Sequence, residues 1–141
     1  MKGRKMQLNK TTDYAVRILV FLGRKSDFVS SDEISRATSI SKNYTIKILR
    51  ILTSEEIVKM KRGIKGGFLL NKPPSEINLY EIFVAMERTI KINQCLDNEE
   101  SCNLYENDIC PVRNFYLILQ QEFEEKLKSM TIEKLGIFKG G

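Results

Sequence analysis

A glycine-rich, basic hairpin follows two short helical patterns in this 141-residue chain, and this order restricts the fold more than any other feature. Ser30, with Glu33 three residues later, has the capping-box spacing and predicts a short helix from Ser31 to about Thr38. After a brief turn, Ser41 can cap a second helix that ends at about Ser54. Two short helices joined by a tight turn are the helix-turn-helix pattern.

The second of these helices has one apolar face and one polar face. Its predicted core face comprises Tyr44, Ile48, Leu49 and Leu52. Its opposite face comprises Asn43, Lys47, Arg50 and Ser54. In the shorter helix, Ile34 and Ala37 are expected to face inward. A polar and basic outer face is what a helix needs in order to read DNA.

Two short strands are predicted next, on either side of a hairpin tip. They run from Ile57 to Lys61 and from Phe68 to Asn71, and the residues between them read Arg-Gly-Ile-Lys-Gly-Gly. The glycines permit close approach to a phosphate backbone, and Lys61, Arg62 and Lys65 can neutralise its charge. A solvated hairpin whose cations keep an edge soluble is the alternative. The helix-turn-helix just upstream favours a wing that contacts double-stranded DNA.

Charge is distributed unevenly along the chain. Residues 1–74 contain 16 Lys+Arg and 6 Asp+Glu, a net charge of +10, whereas residues 75–141 contain 7 and 12, a net charge of −5. This division predicts a winged helix-turn-helix DNA-binding module in 1–74 and a different task for 75–141, within one single domain. A membrane surface could attract the same basic half. No long amphipathic helix with an exposed apolar face supports that, so no membrane partner is expected.

Three longer helices are also predicted. The first, from about Asn9 to Arg24, is apolar on most sides and should be buried. Another, from Leu79 to about Arg88, should turn Ile82, Phe83 and Met86 inward. The last, from Pro111 to about Met130, carries a near-heptad stripe of Val112, Tyr116, Leu119, Phe123, Leu127 and Met130. Such a stripe can simply pack into the core of its own chain. Dimeric helix-turn-helix proteins need a two-fold contact, however, and this favours a homodimer that pairs through the stripe.

Three cysteines, Cys95, Cys102 and Cys110, lie close together in the acidic half, with six and then seven residues between them. No signal-peptide pattern is present, so the protein is expected to be cytoplasmic, with reduced thiols. Clustered cysteines in that compartment more often bind metal or sense redox state than form structural disulfides. We expect an exposed ligand-bearing loop. Because Pro111 is favoured at a first helical position, Cys110 should occupy the N-cap, where the helix dipole stabilises a thiolate.

Thiolates suit zinc and iron–sulfur clusters, and both kinds of site normally need four protein ligands. The chain contains no histidine. Carboxylates near the cysteines that could serve instead are Asp97, Glu99, Glu100, Glu106 and Asp108. A cluster-free thiol switch, through a disulfide or sulfenate, and a zinc-stapled adaptor remain open. An enzyme has little support, because no nucleophile–base pair and no phosphate-binding loop can be recognised.

Several motifs together follow a known pattern. They are Met6-Gln7-Leu8, Thr12-Asp13-Tyr14-Ala15 with Arg17, Ile40-Ser41 with Tyr44, Lys47, Leu49 and Leu52, Arg62-Gly63, and Gly66-Gly67-Phe68 with Leu70, followed by the three cysteines. The combination resembles the Rrf-two family of bacterial transcriptional regulators, from about Met6 to Leu135. The resemblance implies a mostly helical homodimer with a small β wing, in which a winged helix-turn-helix is joined to a long C-terminal dimerisation helix. It also implies an iron–sulfur cluster, 4Fe–4S or 2Fe–2S, in the loop before that helix. The leading hypothesis is therefore a repressor, or a dual regulator, whose operator affinity depends on the cluster.

The resemblance places DNA contacts on the second helix and the wing. Ser41 and Asn43 fall on recognition-helix positions, and Arg62 falls on a wing arginine that enters the minor groove. Ile46 stands where the family often has a glutamate that tunes sequence preference. The whole predicted DNA-contacting set is Ser41, Lys42, Asn43, Tyr44, Ile46, Lys47, Arg50, Lys61, Arg62 and Lys65.

The resemblance also bears on the fourth cluster ligand. Members of the IscR type use a histidine three residues after the last cysteine, where this chain has Arg113. Members of the NsrR type use an aspartate from the other subunit, and Asp13 aligns with it. A favourable charge near a helix start explains Asp13 equally well. With Cys95, Cys102, Cys110 and Asp13 as ligands, one iron would be open to nitric oxide or oxygen, which predicts a sensor of redox state, nitric oxide or iron–sulfur status.

Overall fold

The computed structural model describes residues 6–97 and 110–137. These residues contain seven helices and one two-stranded sheet. The helices are α1 (Lys10–Leu22), α2 (Ser31–Thr38), α3 (Lys42–Ser54), α4 (Leu79–Met86), α5 (Gln94–Asp97), α6 (Pro111–Ser129) and α7 (Ile132–Ile137). Strands β1 (Val58–Lys61) and β2 (Gly67–Leu70) follow α3, and a short 3-10 turn, Pro74–Glu76, precedes α4. The predicted class, mostly helical with a small β wing, is confirmed.

Helix α1 is central, as its wide distribution of apolar residues predicted. Ala15, Ile18, Leu19 and Leu22 are completely buried. The helix packs against α2, α3, α4 and α7. The side chain of Ile132 on α7 comes within 3.1 Å of the place that a Cβ on Gly23 would occupy, so the close approach of α7 favours glycine at the end of α1.

The helix-turn-helix forms at the predicted residues. The hydroxyl of Ser30 accepts the Glu33 N–H at the start of α2, and the hydroxyl of Ser41 accepts the Tyr44 N–H at the start of α3. Ser39, between the helices, has the left-handed φ of 58° that reverses the chain. The prediction that Ala37 and Tyr44 belong to the core is wrong, because both side chains are exposed. Thr45, one residue after Tyr44, is completely buried instead.

The hairpin is antiparallel and pairs Val58 with Leu70 and Lys61 with Gly67, within one residue of the predicted strand bounds. Phe68 also exchanges two backbone hydrogen bonds with Val29, at 2.9 and 2.8 Å, so the segment before α2 extends this sheet. A Cβ on Gly67 would lie 2.3 Å from the Val29 carbonyl oxygen, and its φ is +144°. Position 67 therefore requires glycine. The close contact of Gly67 with Val29 joins the wing to the segment before the helix-turn-helix.

The hydrophobic core draws on both halves of the chain. Ile77, Ile82 and Ile132 are buried in the same cluster as residues of α1 and α3. Helix α4 starts with a complete capping box between Asn78 and Glu81. It ends at Met86, two residues before the predicted bound. No helix in the described residues is both long and apolar enough to cross a membrane.

Helix α6 has the predicted start and ends one residue early, at Ser129. Helix α7 was not predicted, since six residues are too few to show a helical period. The predicted apolar stripe on α6 was assigned to a contact between subunits, and this needs one correction. Leu127 is already buried within its own chain, at 6% exposure. The large apolar side chains that α6 leaves exposed are Val112, Phe115, Ile118, Leu119 and Phe123.

Candidate functional site

The outer face of α3 carries most of the predicted DNA-contacting residues. Ser41, Lys42, Asn43, Tyr44, Lys47 and Arg50 are exposed, and Ile46 is half-buried. The ammonium of Lys42 pairs with the carboxylate of Asp32 on α2, which holds that side chain beside the start of α3. Because the Ser41 hydroxyl caps α3 as an acceptor, its own proton stays available to a phosphate or a base. This face presents cations and small polar groups together.

Lys10 is a residue of this surface that the sequence reasoning missed. Its ammonium lies 5.8 Å from the ring centroids of both Tyr14 and Tyr44. The two rings meet edge to face, with centroids 5.6 Å apart. Tyr44 is 38% exposed, so its ring lies at the border between the α1–α3 contact and solvent. The Lys10 ammonium, on α1, therefore lies at the edge of the exposed face of α3.

The wing tip presents Lys61, Arg62 and Lys65, all exposed, together with a fully exposed Ile64. The chain turns tightly there, since a Cβ on Gly66 would lie 2.1 Å from the Lys61 carbonyl oxygen. None of the three cations pairs with a carboxylate among the described residues. All three predicted wing cations are thus exposed at the hairpin.

Two of the three cysteines lie at the contact between α5 and α6. Cys110 is buried, at 7% exposure, and its sulfur accepts the Arg113 N–H at 3.3 Å, which confirms the predicted N-cap. Cys95 lies on α5, where its sulfur accepts a hydrogen bond from the Asn93 amide at 3.1 Å. The guanidinium of Arg113 donates to the Cys95 carbonyl oxygen at 3.3 Å, and so ties both cysteines to the first turn of α6.

The prediction of an exposed loop needs correction at its two ends. Cys95 is half-buried on a helical turn, and Cys110 is buried at a helix start. Cys102, Glu99, Glu100, Glu106 and Asp108 lie outside the described residues. Asp97 accepts a hydrogen bond from the Thr89 hydroxyl at 3.0 Å. The described residues contain no group of three or more metal-binding side chains.

Among the described residues of one chain, Asp13 forms no metal-binding group with Cys95 and Cys110. Its carboxylate pairs with Arg17, one turn further along α1, at 3.0 Å, and this contact raises the pKa of Arg17. Both side chains line a groove of about 500 Å³ between α1, α2 and α7. The other groove residues are Val16, Val20, Phe21, Arg24, Ala37, Thr38 and Leu135.

Glu87, just after α4, is a second residue that the sequence reasoning missed. Its carboxylate accepts hydrogen bonds from the Asn9 backbone at 3.0 Å and from the Asn9 side chain at 3.3 Å. It also accepts one from the hydroxyl of Thr12, which is completely buried. The end of α4 is therefore fixed to the start of α1. No local pattern could have indicated a contact between residues 78 positions apart.

An apolar groove of about 730 Å³ lies beside the exposed stripe of α6. Its lining includes Met6, Leu8, Phe83, Ile90, Ile92, Leu119, Phe123 and Leu127. The rings of Phe83 and Phe123 lie 6.4 Å apart at its floor. Groove and stripe form one continuous surface through Leu119 and Phe123, and surfaces of this kind mark contacts with other molecules.

The family model for Rrf2, described as an iron-dependent transcriptional regulator, matches residues 8–136. The chain belongs to the Rrf2 family. This family is the Rrf-two family that the sequence motifs resemble, and its members are transcriptional regulators.

Relatives with assigned names agree with this assignment. The HTH-type transcriptional regulator NsrR of Bacillus licheniformis is 34% identical over 133 residues, which are 92% of each chain. The NsrR of Oceanobacillus iheyensis is 39% identical over 94 residues, which are 65% of this chain and 64% of that one. Protein aau3 of Rhizobium meliloti is 33% identical over 132 residues, which are 92% of this chain and 84% of that one.

Solved structures share the fold. The structure of CymR (YrzC), the global cysteine regulator of B. subtilis, superposes with a TM-score of 0.79 at 21% identity and covers 96% of this chain and 100% of that one. The structure of T. potens IscR superposes with a TM-score of 0.73 at 19% identity and covers 96% and 94%. At these identities the likeness concerns the fold, which is a winged helix with a long helix after it.

Proposed function

We propose that this Rrf2-family transcriptional regulator binds a double-stranded DNA operator as a homodimer and represses transcription, with an operator affinity set by an iron–sulfur cluster on Cys95, Cys102 and Cys110. The observation that carries the proposal is the junction of α5 and α6, where Arg113 ties Cys95 and Cys110 together. A regulator that holds two free cysteines against one helix start, outside its proposed DNA-reading face, has a site at which a chemical signal can act.

The cations of α3 and of the wing support the DNA part of the proposal. Lys42, Lys47 and Arg50 lie on one exposed helix face, and Arg62 and Lys65 lie at an exposed tip. A recognition helix in the major groove with a wing beside it uses both kinds of surface. The net charge of +10 in residues 1–74 supplies the phosphate attraction.

The exposed stripe of α6 supports the homodimer. Leu119 and Phe123 combine with the apolar groove beside them, and a second copy of the helix would cover both. A two-fold axis there would place two α3 helices for two half-sites of an operator. Leu127, already buried in its own chain, contributes to the floor of this surface.

The residues at the α5–α6 junction fit an iron–sulfur cluster. The Cys110 sulfur lies at the N-terminus of a 19-residue helix and accepts the Arg113 N–H there. Soft sulfur donors on two adjoining elements are the ligands that such clusters use. The bound group would supply redox chemistry and reactivity toward nitric oxide. Cys102 would be the third ligand, and Asp13 of the partner subunit would complete the site.

The chain's own contacts provide a route from the thiols to the DNA face. Glu87 lies between α4 and the cysteine segment and fixes the start of α1 through Asn9 and Thr12. Lys10, which directly follows Asn9, lies against Tyr44 on α3. A change of structure before Cys95 would thus act on the position of α1 and, through Lys10, on the recognition helix.

A cluster-free thiol switch is the second candidate. It is favoured by the same junction, because Cys95 and Cys110 are free thiols on elements in direct contact. Oxidation of either sulfur would replace its hydrogen bond, from Asn93 or from the Arg113 N–H, and would alter the start of α6. A zinc-stapled adaptor is the third reading of the same residues.

Purification without oxygen separates these candidates. We expect coloured protein with iron and acid-labile sulfide in equal amounts, and Cys110→Ser should be colourless while keeping an oxygen that can cap α6. Gln121→Ser, on the exposed side of α6, is the control and should stay coloured. Colourless wild-type protein with one zinc per chain would support the adaptor. Colourless, metal-free protein whose DNA binding depends on thiol oxidation would support the switch.

A further inference from the structure

Gln120 is a buried amide on α6, a helix whose side chains are mostly exposed. It is 2% exposed. Its oxygen accepts the Ile92 N–H at 2.8 Å, and its nitrogen donates to the Ile90 carbonyl oxygen at 3.0 Å. The carboxamide therefore pairs with the backbone on both sides of Lys91, through one accepted and one donated hydrogen bond. A side chain that both donates and accepts is required for this pairing.

A carboxylate and a lysine complete the hydrogen bonds of Gln120. Its nitrogen also donates to Glu124 at 3.0 Å, and Glu124 accepts from the Lys91 ammonium at 3.3 Å. Burial raises the pKa of Glu124, but the hydrogen bonds from Gln120 and Lys91 outweigh it, and the pKa is lowered overall. The ionised carboxylate therefore binds the side chain of Lys91, while Gln120 binds the backbone of Ile90 and Ile92. The network runs from the buried Gln120 through the partly buried Glu124 to Lys91 at the surface, and its hydrogen bonds favour one arrangement of the segment.

The fastened segment leads directly into the thiol site. Cys95 follows Ile92 by three residues, and Cys110 caps the helix to which Gln120 belongs. Arg113 and Gln120 are two turns apart on α6, and Arg113 holds the Cys95 carbonyl while Gln120 holds the chain before it. The two side chains attach the Cys95 segment to α6 at two points.

We infer that Gln120 is a positioning residue that sets the Cys95 thiol relative to Cys110. This inference deepens the proposed function, since it concerns the same sulfur ligands, but its test uses metal-free protein. Loss of the amide should let the 90–97 segment open locally, so that Cys95 moves away from α6. Cys110 should stay in place, because its own helix start and Pro111 hold it.

The test is the alkylation rate of each cysteine in the reduced, metal-free, full-length protein, measured with iodoacetamide and mass spectrometry. Gln120→Met removes both hydrogen bonds to the segment without changing charge. Gln121→Met makes the same change at the exposed next position and is the matched control. We expect Cys95 to react about 3- to 10-fold faster in Gln120→Met, as the loss of buried hydrogen bonds permits, with Cys110 unchanged in both variants.

Equal acceleration of Cys95 and Cys110 would mean that Gln120 serves general stability alone, and an unchanged Cys95 rate would mean that it does not hold the segment; either result overturns the inference. If Gln120→Met does not fold, Gln120→Asn takes its place, because the shorter amide cannot reach both backbone groups. Failure of the wild type to bind a cluster would refute the proposed function but leave these rates interpretable. If the wild type does bind one, Gln120→Met should lose iron several-fold faster in air than Gln121→Met.

Discussion

The ammonium of Lys10 on α1 lies 5.8 Å from the ring centroid of Tyr44 on α3. This contact carries a positive charge from the first helix to the border of the DNA-reading face. If α3 and the wing contact DNA as proposed, Lys10 would neutralise a phosphate beside the recognition helix.

Replacement of Lys10 by methionine should weaken binding to any duplex, because a phosphate contact carries no sequence information. On a 30-base-pair duplex of random sequence, the slope of log affinity against log salt should become shallower by about 0.9 for each phosphate that the variant no longer neutralises. Fluorescence anisotropy over a salt series measures it. Lys126→Met, which removes an exposed cation from α6, is the control, and equal slopes for the two variants would place Lys10 off the DNA.

The wing makes a different prediction. Arg62→Ala should weaken operator binding by about 1–3 kcal/mol if the side chain enters a narrow minor groove. Lys65→Ala should act more uniformly across sequences and flatten the salt dependence. Operators can be enriched from a random duplex library with the protein itself. An unchanged operator affinity of Arg62→Ala at physiological salt would refute the wing assignment.

Helix α6 predicts the oligomeric state. Leu119 is exposed in the single chain and continuous with the apolar groove, so Leu119→Asp would bury an unpaired charge in a dimer contact and should give monomers. Analytical ultracentrifugation measures the mass. Ile64→Asp makes the same kind of change at the fully exposed wing tip and should leave the dimer intact. A stable dimer of Leu119→Asp would move the interface elsewhere.

Asp13 is predicted to complete the cluster site of the partner subunit. Asp13→Ala should keep a cluster with a changed spectrum or lifetime, because water or a nearby carboxylate can replace one oxygen ligand. The measurement is the anaerobic visible spectrum and its decay on addition of nitric oxide. Glu76→Ala, which removes an exposed carboxylate from the turn before α4, should match the wild type. If Asp13→Ala matches it as well, Asp13 serves as a charge near the start of α1 and as the partner of Arg17.

Local signals were sufficient for the helix-turn-helix, the wing and the Cys110 cap. Ser30, Ser41 and Pro111 act within one helical turn of their own positions, so the sequence alone predicts their effect. The spacing of apolar residues along a helix was a less reliable guide to which side chains are buried. It groups residues on one face, but only the packing of other elements decides which edge is covered, and Tyr44 and Ala37 lie on uncovered edges.

The long-range contacts that hold the segment before Cys95 and the start of α1 had no local signal. Gln120 and Ile92 are 28 positions apart, and Asn9 and Glu87 are 78 positions apart. A glutamine on an amphipathic helix is normally assigned to its polar face. Its burial here follows from the backbone groups of residues 90 and 92, whose position depends on the completed fold.

The operator affinity of one anaerobic sample, measured before and after its cluster is removed, shows whether the cluster controls DNA binding. Iron and sulfide are counted at both points, and the thiols are kept reduced throughout. If the cluster does so, we expect the affinity to change by at least about tenfold between the two states, which corresponds to a coupling free energy of ordinary size. Equal affinities with the cluster present and absent would contradict this control of DNA binding.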